Sequence, residues 1–112
     1  MSFLDVVRLE KEKEVQDLLS TPFALPSDRH IRSLAKALQA PGLQILAEIK
    51  RASPTRGPIR PDSNPVEIAQ QYERAGAAAI SMLTDKPHFG GSIQELESIG
   101  KTVSIPVLRK DF

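Results

Sequence analysis

QILAEIKRASPTRGPIRPDSNPVEIAQQYERAGAAAISML, residues 44–83, reads as one strand, loop, helix and strand in succession. Gln44 to Lys50 is a short, mostly apolar run with branched residues, as expected of a strand buried on both faces. The next fourteen positions carry Pro54, Gly57, Pro58 and Pro61, which no regular element tolerates together, so they form a loop. The loop closes on Asn64-Pro65-Val66-Glu67. Asn64 can cap a helix, Pro65 suits the first helical position because its missing N–H is not needed there, and Glu67 can bond back. Ile68, Ala69, Tyr72 and Ala75 fall at helical spacing on one stripe, and Gly76 ends the helix. Ala77 to Leu83 then reads as a second buried strand.

The same grammar continues outward. TDKPHFGG, residues 84–91, is a loop in which His88 is an exposed residue and Asp85, like Asp111 further on, caps or orients local backbone. Ser92 and Glu95 form a capping-box pattern, opening a helix with Ile93, Leu96 and Ile99 inward, and Ile105 to Lys110 forms a third strand. Upstream, Leu4, Val7, Val15 and Leu18 recur at helical spacing, with Lys11 on the same stripe, and predict a solvated surface helix from about Ser2 to Leu19. After the proline-broken TPFALPSD, Ser27 is placed to cap a second helix with Ile31, Leu34, Ala35 and Leu38 on its apolar face, ended by Pro41 and Gly42. The expected organisation is a helical extension over 1–42, then three strands with two crossover helices over 43–112.

Strands alternating with helices give an α/β fold with a parallel sheet and right-handed crossovers. Alternation alone leaves a doubly wound sheet and a (β/α)₈ barrel both open, although no G-x-G-x-x-G fingerprint is present. Fifteen Lys and Arg against fourteen Asp and Glu leave a net charge of +1, with no polybasic tract, so neither a nucleic-acid nor an anionic-membrane surface is indicated. The absence of cysteine excludes disulfides, thiolate metal sites and thiol nucleophiles. Two separated histidines build no metal site. The N-terminus lacks the apolar core of a signal peptide and no apolar run reaches membrane-spanning length, which points to a cytoplasmic protein.

Charged residues in buried strands are costly, so Glu48 and Lys50 at the end of the first strand and Lys110 at the end of the third need a reason. A structural ion pair is one. Their position favours another: all three lie at carboxyl ends of strands, where parallel α/β folds build their sites. Side chains alternate along a strand, so Leu46, Glu48 and Lys50 share one face, as do Leu108, Lys110 and Phe112. Such a trio can bind an anion and move a proton. The loop Arg51-Ala-Ser-Pro-Thr-Arg-Gly57 offers a hydroxyl, two guanidinium groups and a glycine for a phosphate or carboxylate, although alone it reads as a solvated basic loop. Phe89 is either a plug under its loop or a wall for an aromatic substrate.

AEIKRASPTRGPIRP, GAAAISMLTD, HFGGS and PVLRKDF resemble, in order and spacing, the signature segments of indole-3-glycerol phosphate synthases. The resemblance covers the whole chain, with the leading helices similar to that family's extension before its barrel. Thr55 and Arg56 stand where Ser and Lys are common in the family.

The resemblance implies a (β/α)₈ TIM barrel of which this chain is the N-terminal part. It also implies conversion of 1-(2-carboxyphenylamino)-1-deoxyribulose 5-phosphate to indole-3-glycerol phosphate, with loss of carbon dioxide and water and without metal or cofactor. Carried over by position, Lys110 is the general acid, Glu48 its catalytic partner, Lys50 and Ser53 substrate-anion contacts, and Pro54, Phe89 and Phe112 the apolar walls. A small phosphorylated substrate is the expected ligand, and fusion to or association with other tryptophan-pathway enzymes the expected partnership. A complete barrel needs about 200 or more residues, so the chain alone is expected to lack turnover. The competing readings are a non-catalytic assembly module and another phosphosugar barrel lyase or isomerase, the latter opposed by E-I-K followed by S-P and by the R-K-D-F ending.

Overall fold

The computed structural model describes residues 1–27 and 30–112. The chain divides into two compact units, Met1–His30 and Ile31–Phe112. The first contains α1 (Phe3–Ser20), opened by a capping box in which Ser2 Oγ accepts from the Asp5 amide and the Asp5 carboxylate accepts from the Ser2 amide. Arg8–Glu12 and Lys11–Glu14 pair along its surface. At its other end the Ser20 and Thr21 hydroxyls donate to the Asp17 carbonyl.

The second unit begins with a departure from the sequence reading. The helix expected from Ser27 is only α2 (Leu34–Leu38), capped by Ser33, and Ile31 is exposed; Asp28 and Arg29 of that prediction lie outside the described residues. The reason is tertiary. Arg32 donates to the carbonyls of Ile105 (2.9 Å) and Gly100 (2.6 Å), which holds its own segment extended.

Three parallel strands follow, β1 (Leu46–Ile49), β4 (Ala79–Leu83) and β5 (Val107–Lys110), in the order β1-β4-β5. The crossovers are α3 (Pro65–Arg74) and α5 (Ile93–Thr102). Asn64 Oδ1 accepts from the Val66 and Glu67 amides and Pro65 opens α3, as the sequence indicated. The core lies on one face of the sheet, where Ile49, Ile80 and Met82 meet Ala69 of α3 and Ile99 and Val103 at the end of α5. Only β4 is buried along its whole length. The expectation that the first strand is buried on both faces fails, because the helices cover only the core face and leave Leu46 exposed on the other; Leu108 of β5 is exposed on that same face.

Two stretches read as loop contain short elements. Ala52–Ser53 (β2) and Gly57–Pro58 (β3) form a small antiparallel hairpin after β1. Lys86–Phe89 forms α4, where Asp85 caps the His88 amide as expected of it and Gly90 closes the turn at φ +66°. His88 is thereby a half-buried residue of a helical turn rather than an exposed loop residue. Gly91 passes so close to the end of β4 that a Cβ there would lie 2.0 Å from the Leu83 carbonyl oxygen. The GG of HFGGS is thus a backbone requirement.

Candidate active site

Parallel register fixes which side chains share the face opposite the core. Glu48 stands level with Ser81, and Ser81 with Leu108, while Leu83 stands level with Lys110. Glu48 and Lys110 are therefore two strands apart, about 10 Å between backbones. The long lysine side chain crosses that gap over buried, small Ser81: Lys110 Nζ lies 3.1 Å from Glu48 Oε2. Lys50 Nζ approaches the other oxygen, Oε1, at 3.5 Å. The sequence-predicted trio is one cluster at the carboxyl ends of the strands. Two ammonium groups against one carboxylate leave one positive charge uncompensated, which suits an anion. The three side chains are 34–44% exposed, so a ligand can reach them.

The remaining candidates are held by the surrounding loops. Ser53 is buried in the hairpin, where its Oγ accepts from the Arg56 amide at 3.1 Å and lies 3.4 Å from Thr55 Oγ1. Pro54 is exposed in the hairpin turn, Phe89 half-buried in α4 and Phe112 exposed two residues past Lys110. Hydrogen bonds and ion pairs thus join Glu48, Lys50 and Lys110, whereas Ser53 is engaged within its own turn. Among the described residues, no group of three His, Cys, Asp or Glu could hold a metal ion. No helix among them is long and apolar enough to cross a membrane.

Arg51, offered by the sequence as an anion ligand, is turned to another use. Its Nη1 donates to both Glu95 oxygens (2.6 and 2.7 Å) and to the Gly90 carbonyl (3.3 Å), and its Nε and Nη2 donate to the Ser63 carbonyl (3.2 and 2.9 Å). One guanidinium thereby ties the end of β1 to the loop before α3, the turn after α4 and the first turn of α5. The Ser92–Glu95 capping box is formed only in one direction, because Ser92 Oγ accepts from the Glu95 amide while the Glu95 carboxylate is drawn to Arg51.

Two supporting residues were not legible in the sequence. The buried Thr84 donates to the Lys110 carbonyl through its amide (2.8 Å) and its hydroxyl (3.4 Å), and its hydroxyl accepts from Arg109 Nε (3.2 Å). Tyr72 of α3 donates to the Glu48 carbonyl at 3.2 Å. Thr84 lies within the GAAAISMLTD segment and Tyr72 on the apolar stripe of α3, but the supporting role of each is recognisable only once the strands are paired.

Residues 4–112 match the family profile described as indole-3-glycerol phosphate synthase. The indole-3-glycerol phosphate synthase of Geobacillus thermodenitrificans is 49% identical over 106 residues, covering 93% of this chain and 41% of the relative. That of Geobacillus kaustophilus is 48% identical over 111 residues, covering 97% and 42%. That of Pelodictyon phaeoclathratiforme is 44% identical over 123 residues, covering all of this chain and 47% of the relative. The chain thus spans under half the length of these curated relatives. With a lysine–carboxylate cluster at the strand ends and a profile match across nearly every residue, the chain belongs to the indole-3-glycerol phosphate synthase family.

Proposed function

We propose that this chain supplies the Glu48–Lys50–Lys110 part of a carbon–carbon lyase centre. The proposed reaction converts 1-(2-carboxyphenylamino)-1-deoxyribulose 5-phosphate to indole-3-glycerol phosphate, with loss of carbon dioxide and water. The observation that carries it is the pair Lys110 Nζ–Glu48 Oε2 at 3.1 Å, with Lys50 beside it. Lys110 protonates the substrate ketone oxygen, making that carbon electrophilic toward the aromatic ring. Glu48 faces the positive charge that develops on the anilino nitrogen and stabilises it electrostatically. Lys50 and Ser53 contact substrate anions. Pro54, Phe89 and Phe112 wall the ring, where exclusion of water favours loss of the carboxylate. The helical extension is assigned to 1–42 and the strand-bearing portion to 43–112. The setting is cytoplasmic, with association or fusion to neighbouring enzymes of tryptophan synthesis.

The test uses formation of indole-3-glycerol phosphate, followed by its fluorescence. The chain is assayed alone and with the portion of the Geobacillus kaustophilus relative beyond the matched residues supplied separately. The chain alone is expected to give no turnover, and the combination turnover that Lys110→Met abolishes. Turnover unaffected by Lys110→Met, or near-complete activity of the chain by itself, overturns the proposal.

A further inference from the structure

Glu48 has to be held in place by a strand that is paired on one side only. The Ile45 carbonyl accepts from the Ala78 amide at 2.9 Å, which turns the carbonyls of Ile45, Ala47 and Ile49 toward β4. By the alternation of a strand, the carbonyl of Glu48 points the other way, to the free edge of β1. An edge carbonyl is ordinarily left to water, and the strand segment carrying it is correspondingly easy to displace. Here it is taken by the Tyr72 hydroxyl at 3.2 Å. Tyr72 comes from the third turn of α3, its ring packed against the core cluster that includes Ile49, Ile80 and Ile99. A cleft of about 340 Å³ runs along this edge between Lys50, Ile59, Ile68 and Tyr72. The phenol therefore reaches the strand beside open space, and the bond it makes there is the strand's only anchor to α3 that lands on the backbone of Glu48 among the described hydrogen bonds.

We propose that Tyr72 is a positioning residue for Glu48: its hydroxyl, braced by the core, fixes the backbone from which the carboxylate reaches Lys110 and Lys50. The proposal rests on the reading of Glu48 as part of the lyase centre. The chain of influence is short. Tyr72 Oη holds the Glu48 carbonyl, Glu48 Cα is set relative to β4, and the carboxylate then meets a lysine rooted two strands away. A shift of even 1 Å at the Glu48 backbone moves a 3.1 Å charge-assisted bond out of range.

The experiment records the Glu48 side-chain carboxyl carbon and the Lys110 ammonium nitrogen by NMR in the intact chain. It compares the wild type with Tyr72→Phe and with Ile99→Val, which removes one methyl group from the same core without touching the hydroxyl. Tyr72→Phe is expected to shift both the Glu48 carboxyl carbon signal and the Lys110 side-chain nitrogen signal, while Ile99→Val leaves both in place. Unchanged signals in Tyr72→Phe, or equal changes in Ile99→Val, overturn the proposal. Tyr72 is the sole tyrosine of the chain, so 3-fluorotyrosine labels it alone and serves where Tyr72→Phe does not fold. Ionising that phenol removes the donor and is expected to move the Glu48 signal in step with the phenol's absorbance; a Glu48 signal that ignores it overturns the proposal too. These signals report on the pair whether or not the assembled enzyme turns over, so failure of positioning is distinct from failure of the lyase reading.

Discussion

Gly91→Ala is the substitution for which the structure forces the largest consequence from the smallest change. A Cβ at Gly91 would sit 2.0 Å from the Leu83 oxygen, 2.6 Å from the Leu83 carbonyl carbon and 2.8 Å from Thr84 Cα. All three are backbone atoms, so no side-chain rotation relieves the clash, and one segment must retreat by more than 1 Å. If the turn retreats, the bond from the Gly91 amide to the Asp85 carbonyl (2.9 Å) is lost, and with it the Arg51 bond to Gly90. If the end of β4 retreats instead, the Thr84 amide leaves the Lys110 carbonyl (2.8 Å) and the Asp85 amide leaves the Asp111 carbonyl (3.0 Å). Two hydrogen bonds at about 1 kcal/mol each, plus overpacking strain of about 1–3 kcal/mol, give a destabilisation of about 3–5 kcal/mol.

The matched control is Gly100→Ala, where a Cβ meets nothing within 4 Å in the interior of α5. Replacing a helical glycine there stabilises by about 0.5–1 kcal/mol. Thermal unfolding followed by circular dichroism should therefore move in opposite directions for the two alanines, down by roughly 10–20 °C for Gly91 and up by a few degrees for Gly100. An unfolding midpoint for Gly91→Ala at or above that of the wild type refutes the steric reasoning. So does an equal fall in both variants, which would mean that glycine itself rather than the clash governs the outcome.

Three further outcomes follow from particular contacts. Arg51→Met removes five hydrogen bonds and strands the half-buried Glu95 carboxylate, so urea unfolding should show a loss of about 2–3 kcal/mol. Burial pushes the Glu73 carboxyl up, but the amides of Ser104 and Ile105, the Ser104 hydroxyl and the Arg32 charge outweigh it and hold the carboxyl below its ordinary value. A depressed carboxylate contributes stability above its unfolded-state pKa and loses it as pH falls through the lower folded value. The difference in unfolding midpoint between wild type and Glu73→Gln should thus be constant near neutrality and shrink below roughly pH 4.3. The free edges of β1 and β5 and exposed Leu46, Leu108 and Phe112 should make the chain self-associate, so sedimentation coefficients should rise with concentration; a concentration-independent monomer contradicts this.

Local grammar was legible where the deciding interaction lies within a few residues. Asn64-Pro65 opens α3, Ser92 opens α5, and the parity of Leu46-Glu48-Lys50 against Leu108-Lys110 places three charges on one face. The register adds what parity lacks, namely that Glu48 and Lys110 are close enough to bond across Ser81. Contacts between distant residues were not legible. Arg51 and Glu95 are 44 positions apart, and nothing in RASPTRG distinguishes a guanidinium that turns inward from one that awaits a phosphate. Arg32 likewise shortens the second helix through carbonyls some 70 positions away. Alternation also left two sheet architectures open, and three strands in sequential order with both crossovers on one face are compatible with either. Family membership makes the sheet a portion of the (β/α)₈ barrel of indole-3-glycerol phosphate synthases.

The two ionic clusters at this pole differ in a way that separates folding from chemistry. Arg51–Glu95 is the more buried, 19% and 29% exposed, and its guanidinium makes five hydrogen bonds to carboxylate and carbonyl oxygens. That arrangement is committed to contacts within the fold, and its removal leaves a half-buried charge behind. Lys110–Glu48 is 44% and 34% exposed, a geometry in which an ion pair is worth only about 0.2–1 kcal/mol. A contact that contributes so little to folding, made by a lysine that must cross a neighbouring strand to form it, is poorly explained as a structural device. Exposure also leaves the ammonium free to exchange its carboxylate partner for a substrate oxygen at small cost. Stability and turnover should consequently respond to different residues at the same pole. Lys110→Met should lower turnover in the reconstituted assay with the unfolding midpoint nearly unchanged, whereas Arg51→Met should lower the midpoint first. A Lys110→Met chain destabilised as much as Arg51→Met would return Glu48 and Lys110 to the structural reading.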